Sequence, residues 1–227
     1  MNKRIFTLFF MLLLVSAGFA QKQELDYKKM IMDTALLKKD LPLVDQLLAK
    51  RGETRYVIPS FVPFRIRYNS DSGESIDKKY YNGLTFSKDL YEKAMEGDAT
   101  SQLKIFLCGY FLYQDTQGID VKDMLKEAVN SGNIDARFIY ARIYKQDTRQ
   151  NQYERTRDIK ELASNLYGPA CYYLYENETS SWTEQCHNLW SALLAKYPQA
   201  YYTAGSIAMD QEKGAIALWF FKEAKKL

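Results

Sequence analysis

The stretch AYYTAGSIAMDQEKGAIALWFFKEAKKL, Ala200 to Leu227, decides the fold that the sequence predicts. The polar run DQEKG divides it into two amphipathic segments of about a dozen residues each. Two helices approach closely only where small side chains lie at their crossing, which Gly205, Ala217 and Ala224 provide, while Phe221 is large enough to fill the space toward the next unit. This punctuation favours a helical hairpin over a single membrane-seeking helix.

Similar segments recur along the chain. Alanines lie near the ends of five amphipathic segments, at Ala94, Ala128, Ala163, Ala195 and Ala224, with spacings of 34, 35, 32 and 29 residues. Each of the first four is followed by a turn with Gly or Pro and then by a small residue that begins a new helical pattern. A period near 34 predicts repeated pairs of helices.

This period resembles that of the tetratricopeptide repeat and its Sel-type relatives. Residues of the last unit that fit the family pattern are Tyr201, Ala204, Gly205, Ala208, Ala217, Phe221 and Ala224. The stretch from Gly109 to Ala136 is also similar to the Sel-type pattern YxxGxGVxxDxxKAxxxxxxAAxxGxxxA. The resemblance spans roughly Leu84 to Leu227 and implies an all-α solenoid of stacked helical pairs. Tyr175 departs from it, standing where a small residue is expected.

The sequence predicts three regions: a signal peptide at 1–20, an N-terminal capping region at 21–83 and a tetratricopeptide-like repeat domain at 84–227. The capping region should contain a helical hairpin, with helices near 24–37 and from Asp40 to Arg51, the second with Pro42 in its first turn. A short extended or irregular segment should follow, in which FRIRY is typical of a strand and NSDSGES of a turn. The further helices are expected near 87–96, 99–114, 120–131, 134–146, 153–166, 169–177, 183–196, 199–210 and 213–226.

The N-terminus, MNKRIFTLFFMLLLVSAGFAQ, is typical of a secretory signal peptide. Lys3 and Arg4 precede an apolar run that is too short for a bilayer-spanning helix, and small residues end at Ala20. Gln21, rather than a cysteine, follows the expected cleavage point, so lipidation is not indicated. We therefore expect a periplasmic or secreted bacterial protein with no stable membrane insertion after cleavage.

Charge argues against nucleic acid as a partner. Loss of Lys3 and Arg4 lowers the Lys and Arg total from 31 to 29, against 28 acidic residues. The remaining chain is close to neutral and has no long basic stripe of the kind that binds phosphates.

The sequence offers little support for catalysis. It contains no HExxH, GxSxG, P-loop or CxxC motif, so neither a metal nor a cofactor is expected. The single histidine, His187, follows Cys186 directly, and adjacent helical residues point to different faces. We predict that the chain is not an enzyme.

The three cysteines leave one pairing open. Cys171 and Cys186 lie on either side of the turn NETSSW, at similar distances from it, so they are suited to a disulfide in an exported chain. The alternative is that both are small core residues in reduced form. Cys108, within IFLCGYF, is expected to be a buried thiol.

The family resemblance also implies a concave groove, lined three residues before, one after and four after each crossing residue. Around Ala141, Tyr175 and Gly205 these positions hold Phe138, Arg142, Lys145, Tyr172, Glu176, Thr179, Tyr202, Ser206 and Met209. Aromatic rings beside cations are suited to an extended peptide. The alternative is that the tyrosines pack between repeat units with their hydroxyls at the rim.

The sequence therefore predicts an exported, non-catalytic protein- or peptide-binding module that acts as a scaffold or adaptor in the bacterial envelope. On this reading the double change Tyr172→Ala and Tyr202→Ala abolishes binding with little loss of stability. The alternative function is regulation of a cell-wall or envelope enzyme, as inhibitor or activator, through an edge or through residues 53–83. The sequence indicates neither the partner nor the oligomeric state. Two adjacent aromatics, Trp219 and Phe220, are too many for one hairpin to hide, so the C-terminal end is a second place for a partner.

Overall fold

The computed structural model describes residues 27–60, 62, 67–69, 73–75, 83–144, 149–177 and 181–227. In chain order the helices of these ranges are α1 (Tyr27–Met32), α2 (Thr34–Ala49), α3 (Lys88–Met95), α4 (Ala99–Tyr110), α5 (Val121–Asn130), α6 (Ile134–Tyr144), α7 (Arg149–Ser164), α8 (Gly168–Asn177), α9 (Trp182–Leu194), α10 (Pro198–Asp210) and α11 (Gly214–Lys226). Two three-residue strands, β1 (Arg67–Asn69) and β2 (Gly73–Ser75), pair antiparallel with Tyr68 opposite Glu74. The fold is all-α apart from this small hairpin.

The chain divides into two units. The first combines the described residues up to Tyr56 with Lys160–Leu227, and the second runs from Val57 to Ile159. The boundary falls within α7. Consecutive helices pack as adjacent pairs in both units. In the first unit α8 packs with α9 and α10 with α11, and in the second α3 packs with α4, α4 with α5 and α5 with α6.

Helix α9 is the centre of the first unit. It contacts α1, α2, α8 and α10, and it buries six residues, Cys186, Leu189, Trp190, Ala192, Leu193 and Leu194. The neighbouring α10 is held to it by a buried hydrogen bond, in which the Tyr201 hydroxyl donates to the Leu193 carbonyl at 3.0 Å. Apolar burial on this scale is the main favourable term in folding, so α9 organises the unit.

The N-terminal helices cover the aromatic end of the chain. Phe220 is fully buried, and its ring lies 6.1 Å from that of Tyr201. Trp219 is half-buried beneath the Lys38 ammonium of α2, which lies 4.9 Å from the ring centroid. The two aromatics therefore do not form the uncovered surface that the sequence predicts, because Phe220 is fully buried and Lys38 of α2 lies over the half-buried Trp219.

The second unit buries a row of α4 side chains, among them Leu103, Phe106 and Leu107. Gln114 fixes the extended segment before α3: its side-chain oxygen accepts from the Phe86 amide and its side-chain nitrogen donates to the Leu84 carbonyl, both at 2.7 Å. This pairing satisfies two backbone groups that no helix could satisfy.

Five helices begin at a Ser or Asp whose side chain accepts a hydrogen bond from a backbone amide of the first turn, the usual N-cap arrangement. The capping residues are Asp33, Ser87, Asp98, Asp120 and Ser181. At Ser87, for example, the hydroxyl accepts from the Leu90 amide at 3.2 Å.

Five helix ends share one turn geometry. The second residue after α3, α5, α7, α9 and α10 has a left-handed backbone, at Gly97, Gly132, Leu166, Lys196 and Glu212. In each turn the next residue's amide returns to a carbonyl of the last helical turn, as from Asp98 to Lys93 and from Tyr197 to Ala192, both at 3.0 Å. This is the Schellman arrangement, which usually carries glycine, yet three of the five positions hold residues with side chains.

The nine predicted helices from residue 87 onward are confirmed, with ends that differ by a few residues. The predicted break at Asp40 is wrong. The chain breaks at Asp33, whose carboxylate caps the Leu36 amide at 2.9 Å, and α2 continues through Pro42. Pro42 is exposed on a helix that buries Leu37 and Val44, so packing of the opposite face outweighs the one helical hydrogen bond that proline removes.

Other expectations fall partly beyond the described ranges. The signal peptide at 1–20 lies outside them, as do the start of the capping region and much of 61–82. The predicted division at residues 83 and 84 stays a prediction. Within the described ranges, no helix combines the length and apolar character needed to cross a bilayer.

The left-handed turns give a matched pair of stability predictions. Glu212→Gly should raise the free energy of unfolding by about 0.5 kcal/mol, since it removes a left-handed cost of about 1–2 kcal/mol and adds an entropic cost of somewhat less. Gly132→Ala should lower it by about 1 kcal/mol, because no atom lies within 4 Å of an added Cβ and backbone strain alone acts. Urea denaturation measures both, and effects of the opposite sign would contradict the assigned turn geometry.

Candidate functional site

The hairpin of α10 and α11 carries the strongest candidate surface. Pro198 begins α10 directly after Tyr197, and proline suits this position because its missing amide hydrogen has no helical partner there. The turn ends at Lys213, whose amide donates to the Ala208 carbonyl at 2.9 Å. Both helices are therefore delimited locally, and their relative placement depends on the contact between them.

That contact centres on Gly205. A Cβ built on Gly205 would lie 2.6 Å from Cε1 of Phe221, so no larger residue fits unless the ring moves. The Phe221 ring also packs against Tyr202, with centroids 5.2 Å apart and planes at 55°. Gly205 thus lies at the crossing of α10 and α11, as predicted, and the Phe221 ring packs directly on it.

Large apolar side chains remain exposed on this hairpin. Tyr202, Met209 and Leu218 are 57%, 56% and 54% exposed, and Phe221 is half-buried. Met209 lies two helical turns after Tyr202, and Leu218 one turn before Phe221, so helical periodicity places each pair on one side of its helix. We call these four residues the C-terminal face.

Ser206 lies between Tyr202 and Met209 on α10 and is exposed. Its hydroxyl donates to the Tyr202 carbonyl at 3.2 Å, one turn earlier in the same helix. The Ser206 hydroxyl therefore already has a partner, which leaves the apolar side chains as the main feature of the face.

Tyr172, a predicted groove residue, is buried. Its hydroxyl and that of Thr203 are 2.8 Å apart, and its ring lies 5.5 Å from Tyr197, so it joins α8 to α10. Burial raises the pKa of its hydroxyl, the hydrogen bond to Thr203 opposes this, and the Glu176 carboxylate raises it further. Glu176 is exposed beside it.

This burial changes the expectation for the double variant. Truncation of a buried aromatic ring costs about 3 kcal/mol or more, so Tyr172→Ala should destabilise the protein. The prediction of lost binding at unchanged stability is therefore wrong for Tyr172 and is kept here for Tyr202 alone.

The remaining predicted groove residues divide differently. Phe138 is buried in α6, and Arg142, one turn later, is half-buried. Lys145 and Thr179 lie outside the described residues. Phe138 and Arg142 belong to the second unit and Tyr172 and Tyr202 to the first. The structure therefore brings together Tyr202, Ser206 and Met209 from the predicted set.

Sequence reasoning missed an aromatic cluster in the second unit. The rings of Phe106, Tyr110, Phe111, Tyr140 and Tyr144 form a chain of contacts with centroids 4.9–6.4 Å apart. The Lys122 ammonium of α5 lies 4.6 Å from the Tyr144 centroid, within cation–π range. The signal was available, because Phe106 and Tyr110, and Tyr140 and Tyr144, are each one helical turn apart.

The three cysteines are buried in reduced form. The Cys171 thiol donates to the Ala163 carbonyl at 3.4 Å. Burial raises the pKa of Cys171 to about 12 and that of Cys108 to about 11. A thiolate is the reactive form, so both groups are inert at neutral pH.

His187 lies on α9, the central helix of its unit. Burial lowers the pKa of its imidazole, and the Glu184 carboxylate opposes that shift. Within the described ranges, no group of three or more His, Cys, Asp or Glu side chains is placed to hold a metal ion. His187 is thus a half-buried side chain kept neutral by its surroundings.

Residues 53–83, the predicted contact of the alternative function, are described only in part. Tyr56 and Val57 are exposed within that part. The role assigned to the segment stays a prediction.

The chain matches no protein-family model, no curated protein and no solved structure.

The cysteines give the first prediction of this section. In the native protein at pH 8, iodoacetamide should label Cys108 and Cys171 far more slowly than in urea, because burial suppresses their thiolates. In urea without reductant, mass spectrometry should find all three cysteines labelled. Labelling of Cys108 alone would instead show that Cys171 and Cys186 are joined.

His187 gives the second prediction, which concerns the pH dependence of stability. Its folded pKa lies below the ordinary value of 6.5, so the unfolded chain binds more protons and stability is lost as pH falls below about 6.5. This histidine contributes a slope of at most about 1.4 kcal/mol per pH unit. Urea denaturation between pH 7.5 and 5.5 should show a smaller loss for His187→Gln than for the native chain. Equal losses in both proteins would contradict this assignment.

Proposed function

We propose that this chain is an exported, non-catalytic protein-binding module built from tetratricopeptide-like helical pairs, and that the C-terminal face is its contact surface. The partner is a protein or peptide. Nucleic acid and membrane insertion are not part of the proposal.

The repeat assignment is supported by the turns. The left-handed positions between α3 and α4, α5 and α6, α7 and α8, and α9 and α10 are Gly97, Gly132, Leu166 and Lys196, with spacings of 35, 34 and 30 residues. A recurring turn at nearly constant spacing is what stacked helical pairs require. The Gly205–Phe221 contact supports it further, because both residues fit the family pattern.

Export is supported by residues 1–20, whose basic start, apolar run and small terminal residues are typical of a signal peptide. The periplasm or the outside of a bacterial cell is the compartment that follows.

The observation that carries the binding role is the C-terminal face. Three large apolar side chains more than half exposed on one hairpin are unusual for a surface that meets only water. Tyr202 is a rigid amphipathic anchor that is partly fixed by Phe221, and Met209 is flexible enough to follow the shape of a partner. The Gly205–Phe221 packing fixes the crossing of the hairpin, so the face is preorganised.

The test is site-specific photo-crosslinking in the native envelope. A photoreactive residue at Ser206, on α10, should form a discrete adduct, whereas one at Glu92, exposed on α3, should not. Adding Tyr202→Ser and Leu218→Ser to the same protein should abolish the Ser206 adduct. A few residues carry most of the binding energy at an interface, and aromatic residues such as Tyr202 are enriched among them. The free energy of unfolding of this double variant, measured by thermal denaturation, should stay within about 1 kcal/mol of the native value, because both residues are exposed.

Tyr153→Ser is the matched control, because Tyr153 is 67% exposed and lies on α7. It should leave the adduct unchanged. Equal adducts at Ser206 and Glu92, or an adduct that survives the double change, would contradict the proposed surface. An adduct with the mass of two chains would identify a second copy as the occupant.

A further inference from the structure

Two lysines border the C-terminal face. Lys222 lies one turn after Leu218, and Lys225 one turn after Phe221, and both are exposed. Glu223, the acidic residue of α11, is ion-paired with Lys226. Neither Lys222 nor Lys225 forms an ion pair with any residue in the described part of the chain. The apolar side chains are thus bordered by positive charge that the hairpin does not neutralise.

Helices α3 and α5 show the contrasting pattern. Lys88 pairs with Glu92 at 3.3 Å, Lys93 with Asp89 at 2.8 Å, and Lys126 with Asp123 at 2.7 Å. These pairs are three or four residues apart, the usual way in which a solvated helix balances its charge. On α11 Lys226 is paired with Glu223 in the same way, but Lys222 and Lys225, beside the exposed apolar residues, have no such partner in the described part of the chain.

Charge also varies along the hairpin. The turn carries Asp210, Glu212 and Lys213, a net charge of −1 next to Met209, whereas Lys222 and Lys225 lie toward the other end of α11. Lys222 lies eight residues after Gly214, where α11 begins, which is about 12 Å along the helix from the turn. A partner segment laid along the face meets acidic groups at one end and basic groups at the other, and this polarity selects one orientation.

We propose that the occupant of the C-terminal face is an acidic protein segment, with large apolar side chains adjacent to two or more carboxylates. This inference rests on the proposed function. The apolar side chains contact Tyr202, Met209 and Leu218, and the carboxylates lie against Lys222 and Lys225. The lysines supply orientation and rate of association, while apolar burial supplies most of the affinity.

A random dodecapeptide library displayed on phage, selected against the immobilised exported chain, tests the inference directly. Enriched peptides should contain more Asp and Glu than the unselected library, next to Leu, Phe or Trp. The best of them, made synthetically and labelled with fluorescein, is the probe for anisotropy measurements. Its Kd for the Lys222→Glu/Lys225→Glu variant should be about tenfold higher or more, and this loss of affinity should shrink as the salt concentration is raised.

The matched control is Lys50→Glu/Arg51→Glu, which changes the net charge equally at two exposed residues that follow α2. Its Kd should stay within about twofold of the native value. Enrichment of neutral or basic peptides, or an unchanged Kd after reversal of the Lys222 and Lys225 charges, would overturn the acidic partner. If Leu218→Ser still weakened binding in that case, the proposed function would stand. Failure of Tyr202→Ser and Leu218→Ser to affect any selected peptide would instead overturn the proposed function.

Discussion

The burial of α9 is the constraint on which the first unit depends. This helix places Leu189, Trp190 and Leu193 in the interior, where α1, α2, α8 and α10 surround it. No single hairpin can cover a helix that is apolar on several sides, so elements from both ends of the chain are needed. The polar groups drawn in with it are accommodated by local bonds, as when the Tyr201 hydroxyl donates to Leu193. The C-terminal face lies on the hairpin that this core supports.

The turns show how the helices are joined at small cost. Asp and Ser side chains satisfy the first amides of several helices, and left-handed residues return the chain after five of them. Glycine occupies this position at Gly97 and Gly132, but Lys196 and Glu212 occupy it elsewhere. The backbone geometry is therefore kept even where the side chain disfavours it, which indicates that the helix packing on either side requires it.

Most helices could be predicted because their signals are local. Periodic apolar residues and capping side chains such as Ser87 act within a few residues, and the structure places helices where these signals predict them. The break at Asp33 shows the limit of local signals. Proline usually lies in the first turn of a helix, but α2 continues across Pro42 because Leu37 and Val44 are buried on its other face. Tertiary burial, which a local pattern does not contain, decided that case.

The candidate site was predicted less well for a related reason. The family resemblance assigned Tyr202, Ser206, Met209 and Tyr172 to one groove. The first three are exposed on α10, but the ring of Tyr172 is buried. Periodicity gives the side of a helix and not what covers that side. Trp219 makes the same point, since the ammonium over its ring belongs to Lys38 of α2, far away in sequence.

That cover has a consequence for the order of folding. Lys38 and Trp219 are 181 residues apart, so the two ends of this long segment must come together before Lys38 of α2 can contact the C-terminal hairpin. Closure of so long a loop is entropically unfavourable and slow, and it cannot occur until the last helix has been synthesised. The first unit therefore cannot complete its core until α11 has been synthesised, even though α1 and α2 are made first.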